Sequence, residues 1–593
     1  MTRNYTIAIV GGGASGIGLA AKMVESMPHG LSTAQVSIAI FDAQGLRGGN
    51  AYAPDVSSNL MNTLCGAVDR SFGGAFGIAR WAAEHPDKWQ SDVGGAELDA
   101  DAYLPRPVVG KYLSGLACHA SRAAAERGWR LDAIVDEVVD ILPPATPDGD
   151  YCVQTAAGEA FRARFVYLAI GHLPRVRTEA WQLEDGYHHN AYPIARLARE
   201  IPTEASVGVI GTRLTAIDVA LGLAAAGHTG RISCVSRQGR LPAVRADRGS
   251  YRFEKLERED LIGQLADADQ KLRLADVARM LGSEVEHAQG HPVELRDIIG
   301  EYRPAVDYYE DEIALARGRA RPWQAVLYAT NRNIDLLWHH LAEEDKKILV
   351  SEWLNDWLTY RASIPRENAE RVLALMKSGQ LTITRGASRF SHDASRGTFT
   401  MHLTSGTPLE VDRLVAANGS ASRLEDADST LVGNLLVRGL AVPHRYGGLD
   451  CVFETGQVVP RADRDVTSPR MYALGPITSG VYFFTTALEI IERQAAQRTR
   501  DLAFALGVQW LEQPETEAWV DDRQATATGE RGAPAESAGP DLLDHVVRSA
   551  QTHLIDLRQL RLLNDQIDDT AFPARQQQGV AQDEDQHETN ARK

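Results

Sequence analysis

Cysteine is scarce in this chain of 593 residues, which holds five: Cys65, Cys118, Cys152, Cys234 and Cys451. None forms a C-x-x-C pair. Neither a dithiol redox centre nor a zinc cluster is expected, no metal site is predicted, and the thiols read as buried and free. No apolar run approaches the roughly 20 residues that a membrane helix needs, and no basic-then-apolar leader opens the chain. These absences predict a soluble, cytoplasmic protein that makes no use of a membrane. Positive charge is also in deficit. Lys and Arg number 62 against 79 Asp and Glu, a net charge of −17. That balance argues against general nucleic-acid binding. The length allows about two to four domains with ample core.

What is present is organised around Ile7–Asp42. Ile7–Val10 is a short apolar strand that runs into Gly11-Gly12-Gly13-Ala14-Ser15-Gly16, a G-x-G-x-x-G turn. A helical pattern from Gly18 to Met27 follows, closed by Pro28-His29-Gly30, and a second strand, Val36–Phe41, ends on Asp42. Each part has a physical task. Gly11 makes the tight turn, Gly13 lets the backbone approach a pyrophosphate, and Gly16 lets helix and strand pack closely. The helix start at Ala14 and Ser15 offers free N–H groups and positive dipole to phosphates. Asp42 can accept hydrogen bonds from both ribose hydroxyls, and its charge repels a 2′-phosphate. The alternative is an incidental glycine-rich turn. Strand, turn, helix, strand and acid arriving in order and at this spacing favour a dinucleotide site.

A long loop, Gly45–Asn62, comes directly after the second strand, where loops lie over the ligand edge of such a sheet. Asn59, Asn62 and Thr63 can reach a flavin ring from it, or else cap the next helix. A helix is predicted from about Tyr103 through Arg127. Val135–Leu142 reads as a strand in which Val138 can meet an adenine through its backbone. Tyr151–Thr155 and Ala160–Ala169 read as a hairpin that leaves the sheet at Gly171-His172, near bound ligand; His172 reads as structural.

A second signature begins at Val207–Ile210, turns at Gly211-Thr212-Arg213-Leu214-Thr215-Ala216, and continues as a helix to Ala226. The next strand, Arg231–Val235, ends in Ser236-Arg237 instead of an acid. A hydroxyl and guanidiniums, with Arg240 nearby, suit a 2′-phosphate, so NADPH is expected rather than NADH. Arg213 stands where a second glycine belongs. Its Cβ would hold the backbone away from a pyrophosphate, although its guanidinium can contact that pyrophosphate directly; the alternative is a degenerate fold that binds nothing.

Residues 251–375 are helical, charged and rich in tryptophan, which reads as helix packing. Leu381–Thr384, Phe399–Leu403 and Arg413–Ala417 return to strand pattern. Tyr472–Gly480 then gives strand, Gly475 and Ser479, followed by a helix from about Phe484 to Ala496, a further helix start for a flavin. The predicted architecture is α/β: two Rossmann-like, three-layer dinucleotide domains. The FAD-binding domain comprises 1–200 and 381–500. The NADPH-binding domain is 201–380, with a helical insertion at 251–375. The tail, 501–593, is expected to be partly disordered with one amphipathic helix at 541–563, which either docks on the body or pairs two copies into a homodimer.

An NADPH domain inserted into an FAD domain is a recognisable arrangement. The chain resembles the FAD/NAD(P)-binding proteins related to class B flavin monooxygenases over about residues 5–495. The likeness rests on Gly11–Gly16, Gly49-Asn50-Ala51-Tyr52, Asn59–Thr63, Pro105-Arg106 with Gly110 and Tyr112, Ala169–His172, Gly211–Asp218, Ser236–Pro242, Trp357 with Arg361, and Gly475-Pro476 with Gly480. Within that group it is most similar to the flavin-dependent nitrosuccinate synthases, which oxidise the amine of aspartate with NADPH and O2. The family has glycine at the position of Arg213. The resemblance implies cofactor contacts at Asn50, Asn62 and Thr63 as well as at both turns. It also implies transfer of oxygen from a flavin C4a-hydroperoxide to a small amino-acid amine. Asn62 is a candidate catalytic residue, and Arg106, Arg361 and Arg445 are candidate anchors for the substrate carboxylates. Other readings are an FAD-dependent NAD(P)H oxidoreductase serving a partner protein, a Baeyer–Villiger-type monooxygenase, and a flavin-holding scaffold.

Overall fold

A computed structural model describes residues 3–28, 36–72, 76–95, 97–146, 148–246, 251–266, 271–292, 298, 302–318, 321–462 and 470–507. Ile298 aside, these belong to one compact unit. The amphipathic helix expected at 541–563 lies outside the described residues.

The first sheet takes β1 (Arg3–Val10), β2 (Ser37–Phe41), β3 (Arg130–Ile134), β4 (Val138–Leu142), β5 (Tyr151–Thr155) and β6 (Ala160–Leu168) in the order β3-β2-β1-β6-β5-β4. β1 lies parallel to both β2 and β6, while β4 and β5 form an antiparallel flank. Alternation along β1 sets the layers. Ile7 and Ile9 pack with Leu19, Met23 and Leu502 on one face, and Ala8 and Val10 with Leu435 and Leu440 on the other. A strand apolar on both faces requires helices on both sides of a parallel sheet.

The second sheet takes β7 (Tyr187–His188), β8 (Val207–Ile210), β9 (Ile232–Ser236), β10 (Leu381–Arg385) and β14 (Arg413–Ala416), all parallel, in the order β10-β9-β8-β14-β7. A small antiparallel sheet of β11 (Ala387–Asp393), β12 (Thr398–Leu403) and β13 (Leu409–Val411) separates β10 from β14 in sequence. The helices from Arg258–Ala266 to Arg366–Lys377 all fall in the connection between β9 and β10. The chain then returns to the first sheet, where β15 (Met471–Ala473) pairs with the upper half of β6. The expected architecture of two Rossmann-like sheets with a helical insertion is therefore present.

Some local expectations shift. The helix expected from Gly18 begins at Ala14, and the one expected from Phe484 to Ala496 runs Leu488–Ala505. The strand expected from Val135 starts at Val138, and β3 precedes it. Burial pushes the thiols of Cys65, Cys234 and Cys451 up to about 12. All five cysteines are free, as expected, but Cys118 is exposed and Cys152 half-buried. Cys118 is on a face of the helix Arg106–Glu126 that the core does not cover. Among the described residues, no helix is long and apolar enough to cross a membrane. Among them too, no group of three or more His, Cys, Asp or Glu could hold a metal ion.

Candidate functional site

Both glycine turns lie at a carboxyl edge where the strand order reverses, between β2 and β6 in one sheet and between β9 and β14 in the other. Their first glycines are built alike. Gly11 (φ +112°) donates its N–H to Phe41 O at 2.8 Å, and Gly211 (φ +133°) donates to Val235 O at 2.8 Å. A Cβ at Gly11 would collide with the Ala169 carbonyl, and one at Gly211 with that of Ala417. Backbone conformation alone requires glycine at both. The helices Ala14–Ser26 and Leu214–Ala225 then start with no side-chain cap and no acid in the first turn. Their leading N–H groups remain available to an anion.

Past that point the turns differ. In the first, Gly12 and Gln44 donate backbone N–H groups to Asp42 Oδ2 and Oδ1, each at 2.8 Å. A carboxylate has about four acceptor positions, so Asp42 keeps capacity toward the cavity it borders. In the second, Arg213 occupies the N-cap, and its guanidinium donates to Asn355 O (2.7 Å) and Oδ1 (3.1 Å) of the helical insertion. It reaches the insertion and does not fold back over its own turn. The Ser236 hydroxyl accepts from Gly239 N–H at 2.9 Å and lies 3.0 Å from Thr212 Oγ1, so it is engaged within its loop. Arg237 is exposed.

A cavity of about 3710 Å³ extends from the first turn to the second sheet. Single small-molecule sites occupy roughly 300–1,000 Å³, so this one has room for more than one ligand. Of the expected cofactor residues, Gly11, Gly13, Ala14, Ser15, Asp42, Asn50, Asn62, Thr63, Val138, Gly171, Leu214 and Thr215 line it. Gly16 sits beneath, against the Gly11 carbonyl. Gly211, Arg213, Ser236, Arg237, Gly475 and Ser479 do not line it. The Gly475 N–H is taken by Gln494 Oε1 at 2.8 Å. His172 Nδ1 lies 3.0 Å from Ser420 Oγ, joining the exits of β6 and β14.

The three expected anchors part company. Arg445 is exposed, does not line the cavity, and pairs with Glu343 Oε2 at 3.3 Å. Arg106 lines it, but its Nε lies 4.0 Å from Asp218 Oδ2, and that oxygen accepts the Tyr192 hydroxyl at 2.6 Å. Burial holds the Asp218 carboxyl above the ordinary range while Arg106 opposes the shift. Arg361 lines the cavity and is 5 % exposed. Its Nη2 donates to Asn331 Oδ1, its Nε has no hydrogen-bond partner, and its Cζ lies 5.0 Å from the Tyr328 ring and 4.9 Å from the Phe484 ring. Burial pushes this guanidinium down to about 10.

Phe484 is aimed by an unusual turn. Phe483 has φ +65°, the one positive value at a non-glycine residue among those described, and Phe484 N–H donates to Tyr482 O at 2.9 Å. This is a γ-turn, held against local strain by its surroundings. Sequence reasoning passed over Arg245 and Tyr328, which also line the cavity. Arg245 Cζ sits 3.9 Å from the Tyr328 ring centre. The only sequence signal was its place just past Leu241-Pro242.

Nucleotide-type turns at two sheet edges, with residues beside each bordering one cavity, define the class: a protein built to hold dinucleotides. Residues 8–173 match the FAD-NAD(P)-binding family model, so this stretch is an FAD/NAD(P)-binding domain. No curated protein matches the chain. Among solved structures, the fold is similar to reduced ornithine hydroxylase from Pseudomonas aeruginosa, at 14 % identity over 85 % of this chain and 100 % of that one, with a TM-score of 0.50. L-lysine 6-monooxygenase from Pseudomonas syringae matches at 14 % identity over 84 % and 99 %, with a TM-score of 0.46. FAD-bound cadaverine monooxygenase from Erwinia amylovora matches at 13 % over 91 % and 100 %, with a TM-score of 0.43. At 14 % identity the likeness to the ornithine hydroxylase speaks for the fold alone.

Proposed function

We propose that this protein is an FAD-dependent, NADPH- and O2-using N-monooxygenase that oxidises the amine of L-aspartate to nitrosuccinate. The observation that carries the reading is the cavity itself. It joins the first glycine turn to Arg361, a buried guanidinium that donates to Asn331 and has no carboxylate within ion-pair distance among the described residues. The fold shared with an ornithine hydroxylase supports an amino-acid amine as the oxidised group.

The first turn fits FAD on its own geometry. The uncapped helix start at Ala14 and Ser15 suits the pyrophosphate, the spare acceptor positions of Asp42 suit the ribose, and Val138 borders the cavity where an adenine would lie. Asn50, Asn62 and Thr63 face the same cavity from the loop after β2 and would meet the flavin. Leu214 and Thr215 would meet NADPH. Bound FAD would supply hydride acceptance and oxygen activation. The chain's own part is to hold an amine close to the ring and keep water out. Arg361 would fix the substrate by charge-assisted hydrogen bonds to a carboxylate. Arg106, already compensated by Asp218, would help shape that wall.

Purified protein tests the reading. The expected result is a yellow protein whose oxygen-dependent NADPH oxidation rises with aspartate and yields the mass of nitrosuccinate. Turnover insensitive to every amino acid would remove the substrate. Colourless protein that added FAD cannot reconstitute would remove the whole assignment.

A further inference from the structure

Arg361 has a neighbour of like charge. Arg245, part-buried, lies over one ring that Arg361 also approaches: the Cζ atoms are 3.9 Å and 5.0 Å from the Tyr328 centroid. Arg245 also lies 5.9 Å from the Tyr103 ring, and its Nε is 3.4 Å from Ser363 Oγ. Both arginines, Tyr103, Tyr328 and Asn331 line the cavity. Among the described residues, neither guanidinium has a carboxylate within ion-pair distance; Glu489, which also borders the cavity, acts on Arg361 only at longer range and accepts from Asn331 Nδ2 at 3.5 Å. Two guanidiniums gathered around one aromatic ring, with a buried unpartnered Nε between aromatic faces, are unfavourable without an anion. Arg245 adds to the burial that lowers the Arg361 guanidinium. The aromatic rings keep both forks rigid and poorly hydrated, which suits bidentate recognition of a carboxylate.

We infer that Arg245 and Arg361, stacked about Tyr328, form a dicarboxylate clamp that sets substrate specificity. Arg245 is a specificity residue. It acts by binding an acidic group distant from the reacting amine, so its loss raises KM much more than it lowers kcat. The inference rests on the aspartate reading for its physiological substrate, but the clamp itself needs only a dicarboxylate.

Succinate separates the two, since it has no amine to oxidise. Holoenzyme is titrated with succinate and followed by thermal shift, in wild type and in Arg245→Gln, with FAD content measured in each. Wild type is expected to be stabilised. Arg245→Gln should keep its FAD and need about tenfold or more succinate, the loss of a charge-assisted hydrogen bond. Arg245→Lys, which keeps the charge but not the planar fork, should fall between and serves if the glutamine variant does not fold. Absence of succinate binding by wild type, or a folded variant that binds it like wild type, overturns the clamp. If succinate binds through Arg245 but aspartate drives no oxygen-dependent NADPH oxidation, the clamp stands and the proposed reaction falls. If aspartate is oxidised with an unchanged KM in Arg245→Gln, the reaction stands and the clamp falls.

Discussion

Two glycines in the first turn are held there for different reasons, and alanine substitutions separate them. At Gly16 an added Cβ would strike the Gly11 carbonyl and come within 3.2 Å of Ile9 Cγ2, both rigid neighbours. Helix and strand must then separate. Overpacking of this kind costs about 1–3 kcal/mol, and the better helix propensity of alanine returns at most about 1 kcal/mol. The clash with a backbone carbonyl puts the cost toward the upper end, so the net loss is about 2 kcal/mol. At about 2.1 cal/mol/K of unfolding entropy per residue over 593 residues, the apoprotein Tm should fall by about 1–2 °C. At Gly13 the backbone is ordinary, with φ −81° and ψ −170°, and the added Cβ meets nothing nearer than Gly48 O at 3.5 Å. The protein itself does not require glycine here; a pyrophosphate approaching the backbone does. Gly13→Ala should therefore cost the apoprotein no more than about 1 kcal/mol, the difference between glycine and alanine at an N-cap, yet lose FAD affinity by tenfold or more. Differential scanning calorimetry of apoproteins and FAD titration by flavin fluorescence measure the two effects separately. A Gly13→Ala apoprotein that melts as low as Gly16→Ala, or one that holds FAD normally, would refute the reasoning.

The remaining predictions concern the second turn and pH. Arg213→Ala removes two hydrogen bonds to Asn355 and should lower Tm; the NADPH KM should move by less than about threefold, because the guanidinium is already engaged by the insertion. A tenfold rise in KM would show that Arg213 reaches the nucleotide after all. Burial, with help from His340 and Lys271, pushes His339 down to about 4 from its usual 6.5. The unfolded chain thus takes up a proton there before the folded one does. Stability should fall as pH drops from about 6.5 toward 4, and His339→Gln should flatten that part of the Tm–pH curve. An unchanged curve in the variant would exclude this site as the source.

The glycine turns were legible because their constraint is local: a tight turn with positive φ admits glycine whatever surrounds it, as at Gly11 and Gly211. Apolar strands buried on both faces were legible for the same reason, whereas β3 was not. Its residues are only partly covered, so Arg130–Ile134 carries little apolar pattern. Ser236 shows the limit of reading by residue type. A hydroxyl at a strand end suits a phosphate, but the sequence does not say that Gly239 N–H would claim it. The arginines make the point most fully. Nothing in their flanking residues ranks Arg106, Arg361 and Arg445, because an arginine's worth as an anion anchor depends on its counter-charge, and counter-charges arrive from distant elements. Arg445 meets Glu343 at the surface and Arg106 faces Asp218 from the helix of the second turn. Arg361 meets Asn331, two aromatic rings and the influence of Arg245, and the one carboxylate that acts on it among the described residues, Glu489, lies beyond ion-pair distance behind Asn331. Tertiary structure therefore leaves, at one place along the cavity wall, positive charge that Glu489 offsets only at a distance, and a substrate bearing carboxylates is the simplest thing that would complete it.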